Sequence, residues 1–176
     1  ILGILKSKKG IAYDIIKDFK IDEINLAHSI IKPIEKQMPE TLTILRFAKE
    51  EARRIGRNVV GTEMFLLGII AEGAGIGGQV LAELEITIKD ARKIVEGIIG
   101  FGNEYYDKEV VFTERAKRVL EKAWNLAKSE HKTRIESQHL LLALTTEPNS
   151  LAMQALEQLG VDAVEIKEGI KKFTNE

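Results

Sequence analysis

One stretch of this chain lies over another with no gap. VVGTEMFLLGIIAEGAGIGGQVLAELEI (59–86) aligns with RIESQHLLLALTTEPNSLAMQALEQLGV (134–161) at an offset of 75. Repetition constrains the fold before any motif does, because each copy must bury its apolar face against its neighbours. Thr62 falls on Ser137, Leu66-Leu67 on Leu141-Leu142, Leu84 on Leu159 and Ile86 on Val161. Upstream the register holds, with Ala48 on Ala123 and Ala52 on Ala127. At an offset of 65, residues 2–21 lie over 67–86. The chain therefore divides into two complete units, 41–100 and 113–173, joined by a linker at 101–112. The back half of a third unit, 1–36, precedes them.

Each unit reads as four helices. Leu45, Ala48, Ala52 and Ile55 recur at helical spacing, as do Val119, Leu120, Ala123, Leu126 and Ala127. Thr62 and Ser137 read as N-caps, each opening a short apolar helix. Gly10, Gly75 and Asn149-Ser150 mark the next turn, and third helices follow at 11–19, 76–84 and 150–159. A fourth helix runs from near Thr87 to Gly100 and is repeated in VDAVEIKEGIKKF. No segment shows the sustained two-residue alternation of a half-buried strand. The expected fold is all-α, a pseudo-twofold tandem repeat of four-helix units with an extra N-terminal half-unit.

Several constellations invite a chemical reading. GAGIGG (73–78) spells the glycine spacing of a dinucleotide fingerprint, with Asp90 placed where a ribose would want an acid. That fingerprint needs a strand before the glycines. Here a helical segment precedes them, and the copies PNSLAM and KKGIAY make the same turn without the spacing. The glycines read as a helix–helix turn in which small residues allow close packing. Glu136 and His139 form E-x-x-H, a di-iron spacing, but the first unit has Gly61 and Met64 there, so no second half-site exists. His28 and His131 have no local acid and nucleophile around them. Arg46, Lys49, Arg53 and Arg57 form a basic stripe, interrupted by Glu50 and Glu51, that reads as a solvated helix face. Trp124 stands at core spacing and reads as packing.

Composition narrows the classes further. A net charge of −1 gives no general pull on polyanions, so nucleic acid is not an expected partner. The absence of cysteine excludes disulfides, thiol catalysis and thiolate metal sites. No apolar run approaches a membrane span. No catalytic residue, cofactor or metal ligand is expected, and the chain is not expected to be an enzyme.

The run EEARRIGRNVVGTEMFLLGIIAEGAGIGGQVLAEL, then VVFTERAKRVLEKAWNLAKSE and HLLLAL, resembles the Clp N-terminal repeat domain, in the flavour of ClpC chaperones. The resemblance covers most of 41–173 and implies an eight-helix domain that docks adaptor and substrate proteins for an attached unfoldase and the Clp protease. It also implies that the acid of each GTE motif helps bind phosphoarginine. The first unit keeps Gly61-Thr62-Glu63; the second reads Glu136-Ser137-Gln138, so an amide replaces the acid. Thr62, Glu63, Ser137 and Gln138 are the candidate partner-binding residues. The apolar residues Ile11, Ile15, Ile16, Phe19 and Ile24 of the half-unit need burial. Either residues precede Ile1, or the half-unit packs on a neighbouring unit or on another chain, as in a homodimer. The resemblance extends to stand-alone plant ClpT accessory subunits that bind the Clp peptidase core. A cytoplasmic location is expected, with the plastid stroma as the alternative.

Overall fold

A computed structural model describes residues 40–103 and 110–174, all within the compact unit Pro39–Glu176. The expected half-unit at 1–36, with its turn at Gly10, its apolar residues and His28, lies outside the described residues. The described elements run α1 (Glu40–Arg54), β1 (Val59–Val60), α2 (Thr62–Glu72), α3 (Ile76–Glu83) and α4 (Ile88–Ile99). They continue as β2 (Val111–Phe112), α5 (Glu114–Ser129), α6 (Ser137–Thr145), α7 (Leu151–Gln158) and α8 (Ala163–Thr174). The described residues are all-α save for the two short strands.

Helices α1 and α5 are amphipathic. α1 buries Ile44, Ala48 and Ala52, and α5 buries Ala116, Val119, Ala123 and Ala127. The small residues on both faces let the following apolar helix approach closely. Trp124 departs from the expected core position. It is 36% exposed, beside rather than on the alanine face, with Lys128 Nζ 4.9 Å above its ring. α2 and α6 are apolar on nearly every side and are buried accordingly, α2 from Thr62 through Ile69.

The units interlock. Within each, the first helix packs on the second, but the third crosses over: α3 lies on α6, and α7 on α2. The fourth helices follow, α8 packing on α3 and α4 on α7. The crossover is made at the GAGIGG turn, where Gly73 ends α2 in a left-handed conformation (φ 67°) and α3 leaves at 88° to α2. Thr87 caps α4, its hydroxyl accepting the Asp90 N–H, so this acid serves a helix start.

The two strands correct the purely helical reading of 59–60 and of the linker's end. Val59 and Val60 pair in parallel with Val111 and Phe112. Two residues cannot display an alternation, so no periodic signal marks them. Their pairing ties the approach to α2 to the approach to α5.

Candidate functional site

The structure revises the capping expectation. Thr62 and Ser137 are the first helical residues, while the N-caps are Gly61 and Glu136. The hydroxyls instead cross the pseudo-twofold axis. Ser137 Oγ accepts the Gly77 N–H of α3 at 2.8 Å, and Thr62 Oγ1 accepts the Ala152 N–H of α7 at 3.3 Å. Each unit thus caps the third helix of the other, satisfying N–H groups that the first turn of a helix leaves without partners. The closer of the two approaches is made at a glycine: a Cβ at Gly77 would lie 2.8 Å from the Ser137 carbonyl carbon.

At the start of α2 a pocket of about 290 Å³ opens between the units. Glu63 lines it beside Thr62 and Gly61 from the first unit, with Arg115 of α5 and Leu151 of α7 from the second. The Glu63 carboxylate folds back over Gly61, where any Cβ would overlap it. Glu63 is only 6% exposed, and its buried Oε2 has no hydrogen-bond partner among the described residues. Desolvation by burial pushes its carboxyl above the ordinary carboxylate range, against the pull of its own backbone N–H and the Arg57 charge. Arg57 also lines the pocket, its Nη2 donating to Ile99 O. Arg115 Nη1 donates to Asn149 O at 3.0 Å, and its Nε stands 3.8 Å from Glu147. A pocket lined by an under-bonded carboxylate and two guanidiniums can take a ligand with a cationic and an anionic group side by side.

The pseudo-equivalent position at α6 is built from opposite charges. Offset by 75 residues, Glu40 stands for Arg115 and Gln138 for Glu63. Glu40 Oε1 accepts the Ser137 N–H at 2.7 Å, and Gln138 Nε2 donates to Glu136 Oε2 at 2.6 Å. The same swap divides a second matched pair. Glu72 is pushed up by burial, opposed by the Gly75 N–H and reinforced by the Glu40 charge. Its counterpart Glu147 is held down by its hydrogen bond from Lys122, with further help from Arg118 and Arg115. Repetition of the sequence makes the two positions comparable; the residues at 40 and 115 make them different.

The remaining candidates have structural partners. Glu136 N–H donates to His139 Nδ1 at 2.9 Å, and His139 Nε2 meets Glu130 Oε2 at 2.9 Å. With Nδ1 accepting, the ring proton sits on Nε2 and both nitrogens of this fully buried histidine are used. His131 is exposed at φ 57°, matching Gly56 (φ 71°) in the first unit, and marks a left-handed helix exit. The basic stripe is not continuous. Arg46 bonds Glu50 at 3.2 Å, Lys49 lies 5.3 Å above Phe112, Arg53 is exposed, and Arg57 turns to the pocket. Arg115 and Glu40 were not singled out from the sequence. Extending the repeat alignment to position 40 pairs them and would have flagged their opposite charges.

The interlocked eight-helix repeat and its paired helix starts define the class, and sequence comparison names it. The chain belongs to the family described as the Clp repeat (R) N-terminal domain, which matches residues 1–84, 39–123 and 111–176. This is a non-catalytic domain of Clp chaperones. The chain is 44% identical over 142 residues to the chloroplastic chaperone protein ClpC2 of Oryza sativa subsp. japonica, covering 81% of this chain and 16% of that protein. It is 43% identical over 142 residues to the chloroplastic ClpC of Pisum sativum, covering 81% and 15%. It thus spans only a small part of the curated relatives it matches. The fold is that of the N-terminal domain of the Clp-associated chaperone ClpD from Arabidopsis thaliana (TM-score 0.66, 24% identity, 79% of this chain and 94% of that one). The Hsp104 N-terminal domain from Candida albicans shares it (TM-score 0.62, 18% identity, 76% and 88%). These relatives give the cytoplasmic expectation no support, since both named ClpC proteins are chloroplastic.

Proposed function

We propose that this domain receives adaptor and substrate proteins for a ClpC-type unfoldase, without catalysing a reaction itself. In this reading the Clp chaperone and protease subunits act on what the domain holds, and the setting is the plastid stroma of its ClpC relatives. The observation that carries it is the Glu63 pocket: a buried, under-bonded carboxylate with Arg57 and Arg115 beside it. A phosphoarginine side chain suits that arrangement. Its guanidinium pairs with Glu63 while its phosphoryl oxygens face the two arginines. Ser137 and Gln138 are secondary in this scheme, since Gln138 can hydrogen-bond a guanidinium but cannot neutralise it.

Calorimetric titration with a phosphoarginine peptide tests this. Glu63→Ala is expected to weaken binding by on the order of tenfold or more, with Gln138→Ala close to wild type. Equal affinity in wild type and Glu63→Ala would reject the assignment. A pull-down tests the wider role: adaptors and substrates are the expected partners, whereas peptidase-ring subunits alone would turn the reading to a ClpT-like accessory protein.

A further inference from the structure

At the start of α6 an anion is already in place, and it belongs to the chain. The Glu40 carboxylate takes the Ser137 N–H across 97 residues of sequence. It lies in a cradle that exists only because Gly75 has no side chain: a Cβ there would overlap both the Glu40 carboxylate and the Ser137 hydroxyl. Thr41 Oγ1 donates to Ile135 O and pins the first turn of α1 beside α6. Glu72 adds a second acid at the same turn, accepting the Gly75 N–H at 3.0 Å. The matching position at α2 has Arg115 in place of Glu40, and an open pocket.

We propose that Glu40 is a built-in occupant of the Ser137 position, so that of the two matched helix starts only the one at Glu63 is open to an external ligand. A carboxylate on a helix N-terminus satisfies its N–H groups and its dipole, as an external phosphate would. A tethered carboxylate is present at high effective concentration and outcompetes a free anion. An anion that displaced Glu40 would still meet Glu72 and Glu136, whereas the Glu63 pocket sets Arg57 and Arg115 beside its one acid. That the domain binds one marked side chain rests on the Glu63 reading above; the closure at Ser137 does not.

Backbone amide NMR of the full chain, titrated with inorganic phosphate or with free phosphoarginine, separates the two claims. In the wild type the Ser137 and Gln138 amides should stay unmoved by phosphate, while free phosphoarginine, which brings a guanidinium for Glu63, should move those of Thr62 and Glu63. Glu40→Ala should make Ser137 and Gln138 respond, at a phosphate concentration on the order of tenfold below any wild-type effect. Glu40→Arg, which copies Arg115, should open the position as well and supplies the answer if Glu40→Ala folds poorly. Glu40→Gln keeps an oxygen for the Ser137 N–H and should leave it closed. Wild-type response at Ser137 equal to that of Glu40→Ala, or no response in both Glu40→Ala and Glu40→Arg, would overturn the proposal. Silence at Thr62 and Glu63 toward phosphoarginine, with opening at Ser137 toward phosphate, would instead count against the Glu63 pocket and support the plug.

Discussion

Glu63 is held in a place where its charge is costly. Burial raises its carboxyl affinity for a proton, and the nearby Arg57 only partly offsets this. The consequence for stability has a definite sign. A carboxyl whose folded-state pKa lies above its unfolded value near 4.5 contributes stability below that pH, and the contribution is lost as pH rises through the folded value. Glu63→Gln is therefore expected to raise Tm at neutral pH by a few degrees, corresponding to about 1 kcal/mol for one buried unsatisfied charge. The gain should vanish in acid, below the unfolded pKa. Thermal melts across that range check it, and a variant less stable than wild type at neutral pH would contradict it. A residue that costs stability yet could cheaply be an amide, as its counterpart Gln138 is, fits a binding role better than a packing one.

Between elements, the reciprocal caps couple helices that are far apart in sequence. Ser137→Ala removes the acceptor for the Gly77 N–H, and the expected loss is about 1 kcal/mol. Thr62→Val removes the longer bond to Ala152 and should cost less, about 0.5 kcal/mol. Amide exchange localises the damage: α3 loses protection in the first variant and α7 in the second, each in the unit that was not mutated. Damage confined to α6 or α2 would refute the exchange. α1 and α4 are joined differently, by the 5%-exposed Glu51, which bonds Arg54 at 2.8 Å and also pairs with Arg92. Burial works to raise Glu51, and the bonds from Arg92 and Arg54 overcome it, holding the carboxyl below its usual range. No equivalent exists in the second unit, where Leu126 takes its place.

For the whole molecule, helix number, helix order and the twofold relation were legible because the repeat alignment needs no gap, and matching apolar positions imply matching packing. The GAGIGG turn was legible for the same reason, its copies lacking the fingerprint. What stayed hidden was the direction of polar side chains. Thr62 and Ser137 have the composition of caps, and only the crossing of the third helices shows that they cap the opposite unit. Trp124 shares a helix with core alanines but stands one position off their face. The Glu63 pocket needed Arg115, a residue 52 positions away, and closure at Ser137 needed Glu40, 97 positions away. No local pattern reports such pairs.

The crossing of α3 and α7 also means that neither repeat is a finished structure. Cut out alone, residues 40–100 would present a capping hydroxyl with nothing to cap and a third helix stripped of its packing on α6 and α8. Two such copies could complete each other, so the excised repeat is expected to self-associate as a pair and to unfold on dilution. Sedimentation equilibrium would show this, and a folded monomer at every concentration would refute it. In the intact chain the connection between the units does what concentration would otherwise have to do: it makes a symmetric dimer out of a single polypeptide.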